Sequence, residues 1–281
     1  MPASNQLSPL AVDTGCTTPR FWRDAQLPFI EARSIADGRK VCYARHSHEI
    51  FSIGAITAGR CNYLHEKTSH GIGAGTVVVM NPGDVHACNP VDDQLWSYVM
   101  LYVDAQWLAG LGLDEDHNGV FRPVAATHSH SPALFNGLTC LYAQLVDPHL
   151  EVLAKHEAAI VFFSMMQQAL GSPVVLRKVA SQRVERAAEY IDTHYLRTIR
   201  LQDICAAASL SEAYLIRAFE QHYHMTPHAY LINRRIQHAQ TQLREGAPIA
   251  DIAQQTGFAD QSHFQRAFKK HLAVTPGQYK A

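Results

Sequence analysis

The sequence predicts an α+β chain, with an amino-terminal β-barrel and flanking helices followed by an all-α domain containing two helix-turn-helix units. Three observations predict it. From Ile30 to Val103, short runs of Val, Ile, Tyr and Phe are broken repeatedly by glycine, the pattern of consecutive strands and turns. Beyond Asp104 the apolar spacing becomes helical. From Leu201 onward, one helix-turn-helix-sized unit occurs twice.

At 281 residues the chain is long for one core, and two domains are expected. Residues 1–29, with Pro2, Pro9 and Pro19 among polar neighbours, form a lead-in. The clearest strands are VCYAR (41–45), EIFSIGAIT (49–57), CNYLHE (61–66), TVVVM (76–80) and WSYVMLYV (96–103). No long helical period interrupts them, so an antiparallel barrel or sandwich is expected. AQWLAGLGL, LFNGLTCLYAQLV and EVLAKHEAAIVFFSMMQQAL then read as helices. The last sets Leu153, Ile160, Phe163 and Leu170 at helical spacing, a stripe for packing on the barrel or on a second copy. Gly171 and Pro173 stop this helix, which places the domain boundary between residues 172 and 173.

In the carboxy-terminal half, RVERAAEYIDTHYL places Val184, Ala187, Ala188 and Ile191 on one stripe. The repeat follows. Asp203-Ile204 recurs as Asp251-Ile252, 48 positions on, while Arg217-Ala218-Phe219 recurs as Arg266-Ala267-Phe268, 49 positions on. Thr226-Pro227 and Tyr230 recur as Thr275-Pro276 and Tyr279, and the one added residue falls at Ala259, in a turn. Each copy reads as helix, tight turn, helix, over residues 201–222 and 249–271, with Ser211 and Asp260 as N-caps. A long helix from His228 to Leu243 joins them, and Gly246 stops it.

Sidedness sorts the second helix of each unit. Leu215, Ala218 and Phe219 share one face, as do Phe264, Ala267 and Phe268, and these must pack inward. That leaves Ala213, Ile216, Arg217 and Glu220 in the first, and Gln261, Ser262, Gln265, Arg266 and Lys269 in the second, to face outward. Gln pairs bidentately with adenine, Arg with guanine, and Ile touches a thymine methyl, so these residues have the chemistry of a base reader. Lys269, Lys270, Arg234 and Arg235 suit phosphates.

The charge balance agrees once it is divided. The net charge of −1 conceals +5 over residues 173–281, from 14 Lys+Arg and 9 Asp+Glu, and −6 over residues 1–172, from 10 and 16. Six scattered cysteines without a CxxC pair argue against a disulfide framework and a cysteine zinc site. With neither a signal-peptide pattern at MPASNQLSPL nor a membrane-length apolar run, the expected compartment is the cytoplasm and no membrane partner is expected.

One constellation in the first half carries metal chemistry. HSHE at 46–49 places His46 and His48 on one face of an extended strand, and His86, in NPGDVHACN after the Pro82-Gly83 turn, supplies a third imidazole. Three histidines can hold Zn, Fe, Ni or Cu with open positions, so a divalent metal is a candidate cofactor; hydrogen-bonded pocket histidines are the alternative. These motifs resemble those of the cupin barrel, whose metal-binding members add a glutamate four residues after the second His. Here that position is Ser52, and Glu49 falls on the other face.

The segments ERAAEYIDTHY, LSEAYLIRAFE, TPHAYLINRRIQHA and above all DIAQQTGFADQSHFQRAFKKHLAVTPGQY resemble the DNA-binding domain of AraC/XylS-type transcription regulators. The resemblance spans about 100 residues. It implies a cupin-like effector-binding and dimerisation domain over 30–172 and an AraC-type DNA-binding domain over 173–281. It also implies two recognition helices entering successive major-groove segments, with Ala213, Ile216, Arg217, Gln261, Ser262, Gln265 and Arg266 facing bases. Ala213 and Ile216 stand where family members often carry larger or polar groups. The expected partners are double-stranded promoter or operator DNA, a small-molecule effector, a second copy of the chain, and RNA polymerase. His46, His48, Tyr63, His86, Trp96 and Tyr98 are the candidate effector residues, being polar or aromatic and on barrel strands. No enzymatic activity is expected. The rival reading is a metal-dependent cupin enzyme fused to a DNA-binding tail, resting on the three histidines alone. An architectural DNA protein without a sensor is poorly served by a β-rich half of charge −6.

Overall fold

The computed structural model describes residues 18–92, 94–111, 120–170, 181–258 and 260–280. Among these, eight strands come from the first half: β1 (Arg20–Arg23), β2 (Ile30–Ile35), β3 (Phe51–His65), β4 (Thr68–Gly73), β5 (Val77–Met80), β6 (His86–Pro90), β7 (Trp96–Val103) and β8 (His128–Ser129). They pair antiparallel in the order β1-β2-β7-β3-β5-β8, while β4 and β6 flank the far half of β3. β3 thus serves two sheets. The register shifts against β7 between Ile56 and Ala58, and Gly59 follows with φ +69°, where any Cβ would lie 1.7 Å from the Leu95 carbonyl oxygen. Only glycine lets β3 turn there while β7 stays this close.

Both faces of the central strands are buried, which explains why VVVM and WSYVMLYV read as continuous apolar runs rather than alternating ones. Val77, Val79, Val99, Leu101 and Val103 pack outward beneath α2 (Pro132–Val146) and α3 (Val152–Leu170); α1 (Ala105–Gly110) precedes these in the chain. Their neighbours Val78, Met80, Tyr98 and Met100 point into the barrel with Ile35, Ile56 and Trp96.

Several expectations are corrected. VCYAR is not a strand; residues 41–45 run irregularly, and His46 makes an isolated bridge to His86. EIFSIGAIT and CNYLHE form one strand, and β1 and β2 were not singled out. On α3 the buried face is Ala159, Phe162, Phe163 and Met166, so Leu153 (70% exposed) and Ile160 (38%) stand outside it. The expected boundary at 172/173 and the inserted Ala259 lie outside the described residues.

The carboxy-terminal half contains α4 (Gln182–His194), α5 (Leu201–Ala208), α6 (Glu212–Tyr223), α7 (Pro227–Arg244), α8 (Ile249–Gln255), α9 (Gln261–Leu272) and α10 (Pro276–Lys280). The sequence repeat is a geometric one. α6 and α9 both end in a left-handed cap, at His224 (φ 55°) and Ala273 (φ 58°). Thr226 Oγ1 then accepts from Ala229 N at 3.1 Å, and Thr275 Oγ1 from Gln278 N at 3.3 Å, each ahead of a proline in the first helical turn. Tyr230 meets Phe219 edge-on at 5.4 Å, and Tyr279 meets Phe268 likewise at 5.5 Å. Each unit has its own core, one around Ile191, Leu215 and Phe219 and one around Ile252, Phe264 and Phe268. α7 contributes Leu231 to the first and Ile232 and Ile236 to the second.

Candidate nucleic-acid interface and effector cavity

α6 buries Leu215 and Phe219, and α9 buries Phe264 and Phe268, so the opposite faces are left in solvent. Ala213, Ile216, Arg217 and Glu220 are exposed on the first helix; Gln261, Ser262, Gln265, Arg266 and Lys269 on the second. Asp260 Oδ1 caps α9 by accepting from His263 N at 2.6 Å, whereas Ser211 makes no side-chain cap bond to α6. Arg217 Nε donates to the Ala213 carbonyl of its own helix at 3.2 Å.

Two of the expected phosphate contacts are corrected. Arg235 is 6% exposed, and donates from Nε to the Tyr195 carbonyl at 2.7 Å and from Nη2 to the Arg197 carbonyl at 2.9 Å, tying α7 to the end of α4. Arg234 pairs with Asp192 at 2.9 Å and with Glu49. Helical phase alone could not reveal this, because α7 is covered on more than one side.

In the barrel, a pocket is lined by five of the six predicted effector residues: His46, His48, His86, Trp96 and Tyr98. Tyr63 is buried but does not line it; its hydroxyl donates to the Val79 carbonyl at 3.0 Å. Arg33, Tyr43 and Tyr102 line it and were missed. Tyr102 was legible as the same-face successor of Tyr98 on one strand. Arg33 was not, because a charged residue is rarely placed on an inward strand position.

The three histidines converge although they share no regular ladder. Ring centroids lie 4.4 Å apart for His46 and His86, and 4.9 Å for His48 with either. His46 Nδ1 lies 2.8 Å from the Ala44 carbonyl and His86 Nδ1 3.0 Å from that of Asp84; donation to these carbonyls leaves both Nε2 lone pairs unused. Burial, followed by the neighbouring imidazoles, holds His46 well below its ordinary pKa; burial likewise lowers His48, and His86 to about 4. Neutral imidazoles with backbone-fixed tautomers fit a transition metal. Their candidate ligand atoms all lie within 4.8 Å of one another, against about 3.4 Å around a tetrahedral ion, so small rotamer shifts would close the set.

The same segment reaches the helical half. His46 and His48 face the cavity, while Ser47 between them donates from N to Asn233 Oδ1 at 3.3 Å and accepts at its carbonyl from Gln237 Nε2 at 2.9 Å, both on α7. Glu49 takes Arg234, and Ala44 N donates to the Lys270 carbonyl of α9 at 2.9 Å. The cavity wall is therefore bonded directly to the DNA-reading half.

A barrel pocket joined to a paired helix-turn-helix face defines a ligand-responsive DNA-binding regulator, and the comparisons with known proteins agree. Residues 29–160 match the model of the AraC-like ligand binding domain and residues 204–281 that of a helix-turn-helix domain. The chain belongs to the AraC family of transcription regulators. It is 26% identical over 227 residues to the uncharacterized HTH-type transcriptional regulator YbfI of Bacillus subtilis, covering 79% of this chain and 81% of that one. It is 29% identical over 151 residues to the HTH-type transcriptional regulator ExsA of Pseudomonas aeruginosa, covering 53% and 54%. The fold is similar to that of wild-type ToxT from Vibrio cholerae, solved with an unsaturated fatty acid bound, with a TM-score of 0.54 and 17% identity over 85% of this chain and 89% of that one. None of these supports the enzyme reading. Among the described residues no helix is long and apolar enough to cross a membrane.

Proposed function

We propose that this chain acts in the cytoplasm as a homodimer that reads promoter DNA with α6 and α9, under control of a small molecule held in the barrel cavity. The observation that carries this is the pair of repeat-related helices whose outward faces hold Ala213, Ile216, Arg217, Gln261, Ser262, Gln265, Arg266 and Lys269. Bonds from Ser47 and Ala44 to α7 and α9 supply a path by which occupancy of the cavity biases the reader. An effector with a differential affinity worth about 1–3 kcal/mol for two arrangements suffices. The outward Leu153, Ile160 and Val161 of α3 suit packing on a second copy. Where the output is activation, the DNA-bound dimer contacts RNA polymerase. We read the cavity as a binding site rather than a catalytic one, since the residues that build it fall within the match to a ligand binding domain.

Arg266→Ala tests the DNA reading. It is expected to weaken binding to the chain's own promoter by about 1–3 kcal/mol and relax specificity at one base step. A loss under about 0.3 kcal/mol removes Arg266 from the contacts.

A second reading of the cavity is favoured by the histidine geometry: His46, His48 and His86 hold a divalent metal, which when bound supplies a Lewis acid or an anchor for the effector. Metal analysis of the purified chain against His46→Ala/His86→Ala checks it, and absence of stoichiometric metal from the unsubstituted chain refutes it.

A further inference from the structure

Arg33 on β2 is a cation in the protein interior, 3% exposed. Its Nη2 donates to the Tyr43 hydroxyl and, at 2.9 Å, to the Leu272 carbonyl; its Nε is buried without an acceptor. Among the described residues no carboxylate pairs with it, and the cavity walls contain no Asp or Glu. A buried guanidinium cannot escape the cost of its charge by losing a proton, so it calls for an anion.

Phenols surround it. Tyr43 and Tyr98 join hydroxyl to hydroxyl at 2.6 Å, and with Tyr102 they face the same cavity. Burial pushes all three phenols up, Tyr43 to about 12, so they stay protonated at neutral pH. The remaining wall is apolar, with Ile56, Val78, Met80 and Met100. A site with one guanidinium, three phenols and an apolar floor matches a carboxylate on a hydrocarbon body.

Arg33 also touches the reader. Leu272 is the last residue of α9, the helix whose outward face carries Gln265 and Arg266. Arg33 lines both the barrel cavity and a second space between the barrel and α7, so it stands in the wall that separates them.

We propose that the barrel receives a small monocarboxylate with an apolar body, that Arg33 takes the carboxylate, and that in doing so it loosens its hold on the Leu272 carbonyl at the end of the second recognition helix. The proposal rests on the reading of this cavity as the effector site. Charge on the effector is then sensed at α9 itself.

The test uses the full chain and matched probes: benzoate, phenylacetate, octanoate and decanoate, each against its primary amide. Calorimetry measures binding, and titration of a promoter fragment measures the effect on DNA affinity. At least one acid is expected to bind tenfold or more tighter than its amide and to change promoter affinity at least fivefold. Arg33→Met is expected to erase the acid-over-amide preference and the change in DNA affinity. Arg33→Lys, which keeps the charge but loses the fork, is expected to keep the preference with weaker binding, so the assignment survives if the Met variant fails to fold. Equal binding of acids and amides, binding of neither series, or unchanged acid binding in a folded Arg33→Met overturns the proposal. Promoter binding that persists alongside any of these leaves the regulator reading standing. Loss of promoter selectivity in the unsubstituted chain defeats that reading instead, and calorimetry still judges Arg33.

Discussion

The repeat provides a matched pair of substitutions with opposite signs. Ser209 and Gly257, 48 positions apart, occupy the turns of the two helix-turn-helix units, both left-handed, with φ 53° and +72°. A Cβ on Gly257 would lie 2.8 Å from Arg235 Nη2 and 2.9 Å from the Leu196 carbonyl oxygen. Gly257→Ala therefore costs about 1–2 kcal/mol of left-handed strain, less about 0.5–1 kcal/mol from a stiffer unfolded chain. It also displaces a charge-assisted hydrogen bond of Arg235, worth about 1.5–3 kcal/mol. The net expectation is a loss of about 2–4 kcal/mol. Ser209→Gly relieves strain and gives back unfolded-state entropy, for a gain of about 0–1 kcal/mol. The assay is a urea titration of the full chain. Trp22, Trp96 and Trp107 all lie in the first half, so fluorescence reports the barrel, and far-ultraviolet circular dichroism reports mainly the helical half, which holds seven of the ten described helices. Gly257→Ala is expected to shift the dichroism transition far more than the fluorescence one. A Gly257→Ala loss under about 0.5 kcal/mol would show that the turn accepts a side chain at this position.

Other predictions follow from single contacts. Arg235→Ala leaves the Tyr195 and Arg197 carbonyls without their donor and is expected to destabilise the helical half by about 2–4 kcal/mol, with little rescue by Arg235→Lys; equal stability of the Lys variant in the same titration contradicts this. Trp96 Nε1 donates to the Gly38 carbonyl at 2.7 Å in the barrel interior, so Trp96→Phe is expected to cost about 1–3 kcal/mol in a thermal melt. His271 on α9 is buried, and burial lowers its pKa, so the folded chain binds its proton more weakly than the unfolded chain does. Below about pH 6.5 the unfolded chain takes up a proton that the folded chain refuses, and stability falls with acidification by up to about 1.4 kcal/mol per pH unit from this group. His271→Phe should flatten the slope below pH 6.5, and an unchanged slope would show that folding does not weaken proton binding at this residue.

Much of the helical half was legible because its signals are local and doubled. Thr-Pro caps, the Phe-Tyr pairs and the inward Leu215, Phe219, Phe264 and Phe268 each follow from spacing within one helix or its neighbour. Arg234 and Arg235 were misplaced since their partners, Glu49, Asp192 and two carbonyls beyond α4, are remote in sequence. In the barrel, alternation misled wherever both faces were covered: EIFSIGAIT and CNYLHE merged into one bent strand, and Tyr63 turned from the cavity to Val79. The histidines converged for a different reason from the one spacing suggested. His46 and His48 sit on an irregular stretch fixed by His86 on one side and by α7 on the other. Arg33 and Leu272 are 239 residues apart, a contact that no local pattern encodes.

Hydroxyl-radical footprinting of the full chain on the promoter region it controls shows whether α6 and α9 together read one face of DNA. Two protected backbone segments per subunit are expected, about one helical turn or 10–10.5 base pairs apart on the same face, with Arg217→Ala weakening one and Arg266→Ala the other. Protection that shows no sequence preference, or a single segment insensitive to both substitutions, would contradict it.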